Sequence, residues 1–311
     1  MTNVLITGAF GSLGGRIAEG LSGIPELDIY LGSRSKRAVP FWCPSAKMMV
    51  IDTTDRRALV ARHDKIDVVI HLASASEMQC RENPVFAAQV NLNGTINTLD
   101  YAEQCGANRF IYFSTSQVYG PMGGTTTRES SPISPQNVYA ETHAEAEEYV
   151  CKRSNIFSTI LRCSNVVGPP ASFESINWTN IANDVCAQVL RGTDVVLKSS
   201  GLQHRSFVSI NDVVNAVKFI LFEKEQFNEV EVFNLGEDKS RAVYEMADTV
   251  SRIGSEILQK AVQIHVGVDS VQAKEESFIY STELLRSAGF KFIDSIENAI
   301  TELFNFAIAQ R

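Results

Sequence analysis

Gly8, Gly11 and Gly14 follow a short β-rich run at 4–7 and open an amphipathic stretch, in the order Gly8-Ala9-Phe10-Gly11-Ser12-Leu13-Gly14. No other feature constrains the chain as strongly. Glycine lets a backbone turn tightly and come close to a bulky anion. The helix that follows offers unpaired N–H groups and its positive dipole end to that anion. A merely flexible turn would not need three glycines at this spacing. The first strand–helix turn therefore predicts a cradle for the pyrophosphate of a dinucleotide.

The rest of the first half agrees. Residues 4–7, 28–31, 48–51, 68–71 and 110–113 read as strands, near-continuously apolar like strands covered on both faces of a parallel sheet. Helical patterns fall between them, including a long one over 83–105. Such alternation predicts right-handed βαβ units in an α/β fold, a Rossmann doubly wound parallel sheet with a smaller C-terminal α+β lobe. With 311 residues the chain can hold one large α/β unit or two joined domains. The alternation loosens after about 166, where Asn165 and Gly168-Pro169-Pro170 break the pattern. The dinucleotide-binding domain is expected over 1–165, rejoined by a stretch within about 206–232. A substrate lobe is expected over 166–205 and 233–311.

Composition narrows the partners. A net charge of −8 argues against nucleic acid, which wants a basic surface, though not against a phosphorylated small molecule held by local donors. The six cysteines and five histidines are scattered without metal-ligand or disulfide spacing, so no metal is expected and the thiols read as free. The start shows no basic flank or cleavage site, and no apolar run approaches the roughly 18 residues of a membrane span. A cytoplasmic, membrane-free protein is the expectation.

The second strand of such a fold normally ends in an acid that accepts from the adenosine ribose hydroxyls. Here Gly32 stands at that place, followed by Ser33 and Arg34, with Lys36 and Arg37 beyond. A carboxylate would repel a 2′-phosphate, whereas a hydroxyl and a guanidinium would bind it. NADP(H) is favoured over NAD(H). Asp52, ending the third strand, is the candidate for the adenine edge.

Phe113-Ser114-Thr115-Ser116-Gln117-Val118-Tyr119-Gly120 follows the fifth strand, and Tyr139-Ala140-Glu141-Thr142-His143 begins 24 positions after Thr115. Together with the glycine trio, these segments resemble the extended short-chain dehydrogenase/reductase family of nucleotide-sugar epimerases, dehydratases and reductases. Segments 90–95, 161–169, 205–213 and 233–236 look like its later landmarks, in order. The resemblance implies a catalytic set of Thr115, Tyr139, His143 and Asn91. Tyr139 would exchange a proton with the substrate oxygen as hydride moves, Thr115 would hydrogen-bond that oxygen, and Asn91 would support the site. It implies a cofactor set of Gly8, Phe10, Gly11, Ser12, Leu13, Gly14, Ser33, Arg34, Asp52, Leu72 and Ala73, with Tyr139 and His143. Ser116, Gln117, Asn165 and Arg205 would meet a nucleotide-sugar substrate, Arg205 as a diphosphate clamp.

His143 departs from the family, which has lysine there. One helical turn still puts it on the face of Tyr139. Near neutral pH a histidine carries charge only part of the time, which weakens a tyrosinate base and favours reduction over oxidation. The 4,6-dehydratases of the family follow the threonine with an Asp-Glu pair; Ser116 and Gln117 stand there and cannot do that acid/base work. In the epimerase/reductases that make GDP-fucose, a cysteine and a histidine act where Gln117 and Pro170 stand, so that route also looks closed. The expected activity is an NADPH-dependent ketoreductase on a nucleotide-linked keto-sugar. A nucleotide-sugar 4-epimerase and a non-catalytic NADP(H)-binding sensor with a decayed site are the alternatives. The family's habits also imply a homodimer through 83–105 and 136–152, whose apolar residues would equally suit core helices.

Overall fold

The computed structural model describes residues 1–152, 156–223, 229–267 and 276–310. Its central sheet has seven strands: β1 (Thr2–Thr7), β2 (Leu27–Ser33), β3 (Lys47–Val50), β4 (Val68–His71), β5 (Arg109–Thr115), β6 (Phe157–Cys163) and β7 (Val230–Leu235). They lie in the order β7-β6-β5-β4-β1-β2-β3. The five pairings from β3 across to β6 are parallel. The order reverses between β1 and β4, which makes the sheet doubly wound and opens a crevice at its carboxyl edge. All seven residues of β5 are buried, as a central strand covered on both faces must be.

Helix α1 (Ser12–Leu21) follows β1 and buries Gly14, Gly15, Ile17, Ala18 and Leu21. The long helix expected over 83–105 is broken. A short turn at Pro84–Ala87 leads into a π-helical segment, Ala88–Asn93, before α2 (Gly94–Gln104) resumes α geometry. In this wider turn the Thr95 hydroxyl donates to the Asn91 carbonyl at 2.5 Å. Helix α3 (Val138–Cys151) starts at Asn137, whose side chain accepts from the Ala140 N–H at 2.9 Å. Leu99, Tyr101 and Ala102 of α2 and Ala146 and Val150 of α3 join Phe110, Tyr112 and Ile160 in one core.

The chain forms two compact units. The first comprises Met1–Gly120, Ser131–Cys163 and Val217–Phe233. The second comprises Pro121–Ser130, Ser164–Ala216 and Asn234–Arg311. The return to the first unit thus begins at Val217, inside helix α5 (Ile210–Phe222) and later than the 206 suggested by sequence. In the second unit, α4 (Ile181–Leu190), α6 (Val243–Leu258) and α7 (Ile296–Ala309) surround a core that includes Val185, Val189, Met246, Val250, Leu303 and Phe304. No helix of the described residues is long and apolar enough to cross a membrane.

Candidate active site

The glycine turn is shaped as the spacing requires. Gly8 has φ +68°, and a Cβ there would stand 2.8 Å from the Leu72 carbonyl carbon and the Ala73 nitrogen. Gly11 donates to the Gly8 carbonyl at 2.9 Å. A Cβ on Gly14 would lie 2.3 Å from that same oxygen. Gly8 and Gly14 are needed for close backbone approach. Helix α1 has Gly11 at its N-cap, no side-chain cap and no acid in its first turn. The N–H groups starting at Ser12 and Leu13 and the positive dipole end are left for an anion. These residues fit the pyrophosphate of a dinucleotide.

Gly32 explains the missing acid. A Cβ there would meet Ile51 Cγ2 at 2.9 Å and the Ile6 oxygen at 3.0 Å, so any side chain at this position would force its neighbours to shift. Ser33 ends β2, its Oγ accepting from Ser35 N–H at 3.4 Å. Arg34, named from sequence, is exposed. Its neighbour Arg37 is the anchored cation, its guanidinium 4.6 Å above the Phe10 ring, which in turn meets Trp42 edge-on at 6.0 Å. Asp52 accepts from Thr54 N–H at 2.9 Å and Thr54 Oγ at 2.7 Å through one oxygen, so that oxygen stabilises the turn after β3.

Around Tyr139 the first unit gathers Thr115, His143, Cys80 and Cys163. The half-buried Tyr139 packs on Ala75, Cys80 and Ala87. Burial raises the phenol pKa above its ordinary value, with Cys163, Cys80 and Glu77 adding to the effect and hydrogen bonding from Thr115 opposing it. The Tyr139 proton is therefore firmly held at neutral pH. Thr115 is buried and also accepts from the Gln117 N–H at 3.2 Å.

His143 stands edge-on to the Tyr139 ring, centroids 4.6 Å apart. Only 2% of it is exposed, and burial pulls its pKa down to about 4. The partial charge expected from sequence is corrected: in this apolar setting the imidazole is neutral throughout the physiological range. Its Nδ1 lies 2.7 Å from the Tyr112 hydroxyl, while Nε2 has no hydrogen-bond partner among the described residues.

Asn91 supports the site from behind. Its Oδ1 accepts from the Ala75 N–H at 2.7 Å and its Nδ2 donates to Thr142 Oγ at 3.0 Å. It thereby fixes the first turns of α3, which carry Tyr139 and His143. Ser116 is buried, and Gln117 bridges two groups: its Oε1 accepts from Asn137 Nδ2 at 3.0 Å, and its Nε2 donates to Glu77 at 3.3 Å. Glu77 is a carboxylate beside the site that sequence reasoning did not single out. Its only signal was its place soon after β4. Tyr119 is buried and accepts from Arg162 Nη1 at 2.7 Å.

Asn165 and Arg205 lie in the second unit. Asn165 sits in the strand Asn165–Val167, which pairs in parallel with Phe207–Ser209, and its Nδ2 donates to the Ser206 carbonyl at 3.0 Å. Arg205 is exposed and donates to the His204 carbonyl at 2.8 Å. The Asn165 side chain thus helps to fasten this strand pair. Among the described residues no cluster of His, Cys, Asp and Glu is arranged to hold a metal ion.

Known proteins align with this arrangement. The profile of the NAD dependent epimerase/dehydratase family matches residues 4–236. The mouse (Mus musculus) dTDP-D-glucose 4,6-dehydratase is 29% identical over 235 residues, covering 73% of this chain and 64% of the mouse protein. UDP-glucuronic acid decarboxylase 1 of Arabidopsis thaliana is 26% identical over 266 residues, covering 80% of this chain and 58% of the plant protein. The chain thus spans less than two thirds of the length of either. The solved UDP-glucose 4-epimerase of Thermotoga maritima, with UDP-glucose, superposes with TM-score 0.83 at 20% identity over 99% of both chains. At that identity the likeness is one of fold. Matched from the first strand through Gly236, this chain belongs to the NAD dependent epimerase/dehydratase family, a branch of the extended short-chain dehydrogenases/reductases.

Proposed function

We propose that this protein is a nicotinamide-nucleotide-dependent oxidoreductase that reduces a keto group on a nucleotide-linked sugar, with NADPH as the preferred donor. One observation carries the reading: Tyr139 keeps its proton and the residue one turn along, His143, is an uncharged imidazole. A neighbouring lysine would stabilise tyrosinate, the base that oxidation needs. A neutral neighbour leaves the phenol as an acid, which is what reduction needs.

The Gly8–Gly14 turn and the start of α1 would hold the pyrophosphate, and Ser33 with Arg37 the adenosine end. When bound, the nicotinamide supplies hydride to the carbonyl carbon. Tyr139 donates its phenolic proton to the carbonyl oxygen as negative charge develops there, and Thr115 hydrogen-bonds the same oxygen. Asn91 keeps the first turns of α3 in place while this happens. Ser116 and Gln117 carry no ionisable group, so the elimination named for the mouse relative has no Asp-Glu pair to run it here. The nucleotide-sugar class rests on family membership, and the UDP-sugars of structural neighbours support it.

Reduced-cofactor fluorescence tests the reading. Purified protein should bind NADPH and oxidise it when a nucleotide-linked 4-keto sugar is added, and Tyr139→Phe should bind as well but turn over roughly 100- to 10,000-fold more slowly. Binding without oxidation across a panel of keto-sugars would favour a sensor. Interconversion of C4 epimers with no added cofactor would replace the reductase by a 4-epimerase.

A further inference from the structure

We propose that Tyr112 is a positioning residue that fixes His143 in the tautomer bearing hydrogen on Nε2, so that the imidazole presents an uncharged donor at the Tyr139 end of the site. Two rows of hydrogen bonds point to this. In the first, Thr7 Oγ lies 2.7 Å from His71 Nδ1, and His71 Nε2 lies 3.1 Å from Thr95 Oγ. Thr7 Oγ lies within reach of the Leu72 and Ala73 N–H groups as an acceptor, which leaves its own hydrogen for His71. Thr95 spends its hydrogen on the Asn91 carbonyl at 2.5 Å and so accepts from His71. The distances match those roles, because O–H donors approach more closely than N–H donors.

The second row repeats the first. Tyr112 Oη lies 2.7 Å from His143 Nδ1, the same separation as the hydroxyl-to-imidazole bond at His71. A phenol donating to Nδ1 leaves the hydrogen of the neutral ring on Nε2. That atom is buried and unpartnered while every other nitrogen of the two rings is bonded. A buried donor without a partner is costly in the free protein and is rarely kept without a ligand to meet it. The rings are held rigidly: Tyr112 stacks between His71 and His143 at 6.0 and 5.9 Å, interplanar angles 24° and 26°. The ligand suited to this donor is a hydroxyl oxygen of the cofactor's nicotinamide ribose. That last step rests on the function proposed above; the tautomer does not.

Long-range 1H–15N spectra of the ligand-free protein test it, with the His143 signal assigned by its loss in His143→Gln. A pyrrole-type Nε2 and a pyridine-type Nδ1 are expected in the wild type, and a redistributed tautomer ratio in Tyr112→Phe. The variant should also bind NADPH roughly tenfold more weakly, the scale of one hydrogen bond, with the Tyr139-dependent rate at saturation largely kept. A wild-type His143 with hydrogen on Nδ1 overturns the proposal, even if Tyr112→Phe does not fold. So does a folded Tyr112→Phe with unchanged tautomer and affinity. If the function were wrong, no keto-sugar of the panel would drive oxidation of NADPH while the wild-type tautomer stayed as stated.

Discussion

Arg162 of β6 holds Glu147 of α3 on two sides: Nη2 donates to Oε2 at 2.7 Å, and Nε to Oε2 and Oε1 at 3.0 and 3.2 Å. Both side chains are almost wholly buried. Ser114, next to Thr115, donates to the same carboxylate, and Arg162 also reaches Tyr119. Tyr139, His143 and Glu147 follow at four-residue intervals along one face of α3. The ion pair therefore fastens the helix carrying the phenol to β6, and the Ser114 hydrogen bond fastens it to the strand carrying Thr115.

Removing one partner leaves the other buried and uncompensated, which typically costs about 3–5 kcal/mol. Glu147→Gln should lower the urea midpoint by a corresponding amount and reduce turnover more than cofactor affinity, since the Gly8–Gly14 cradle is untouched. Replacing both partners by apolar residues of similar volume should restore much of the stability. A single variant as stable as wild type would show that the pair does not fasten the helix.

The two buried histidines make stability depend on pH. Burial lowers the pKa of His143 to about 4 and of His71 to about 3, with His143 adding to the latter, against 6.5 in an exposed chain. Both folded values lie below the unfolded one, so stability is full above pH 6.5. It falls as pH drops below that, because the unfolded chain takes up protons that the native one refuses. The loss levels off only near the folded values. Each group contributes a slope of about 1.4 kcal/mol per pH unit in that window. Urea unfolding at pH 7.5 and 5.5 should show wild type losing about 1 kcal/mol more than His143→Gln. Parallel losses would mean that His143 is not held neutral.

How much of this the sequence carried depended on how local each feature is. The cradle at Gly8, Gly11 and Gly14 is readable because its chemistry lies within seven consecutive residues. Five of the seven strands of the central sheet were readable for the same reason, give or take a residue or two at their ends, whereas β6 and β7 were not read as strands. The break at Ala88–Asn93 was hidden because a π segment this short shifts the apolar register only slightly before α geometry resumes at Gly94. Tyr112 was passed over because every residue of β5 is buried, so no alternation shows which side chains face α3. The contact of Arg37 with Phe10 is a tertiary one between residues 27 positions apart and left no signal in the sequence.

Gly14 offers a sharp test of the cradle. An added methyl would be driven to 2.3 Å from the Gly8 carbonyl, which is backbone and cannot swing aside. Gly14→Ala should therefore displace the turn, weaken binding of either dinucleotide by at least tenfold and lower the melting temperature. A control at Gly23, where a Cβ would meet nothing within 4 Å but φ is +85°, should show the strain cost alone and leave binding intact. Equal binding by wild type and Gly14→Ala, read by titration calorimetry, would contradict the cradle.

Arg37 and Ser33 bear on which dinucleotide is held. Gly32 carries no acid that would repel a 2′-phosphate at the end of β2, and the guanidinium of Arg37 lies over the ring of Phe10 in the glycine turn. A hydrogen bond to a charged group is worth about 1.5–3 kcal/mol. Arg37→Ala should thus weaken NADPH binding roughly 10- to 100-fold while leaving NADH nearly unchanged. The wild-type preference should shrink as salt rises, since the contact is partly exposed and screened. Arg34→Ala should have the smaller effect, because no contact with the cradle holds that side chain. Equal affinity of the wild type for both cofactors, or an Arg37→Ala variant that loses both alike, would remove Arg37 from the recognition of a phosphate.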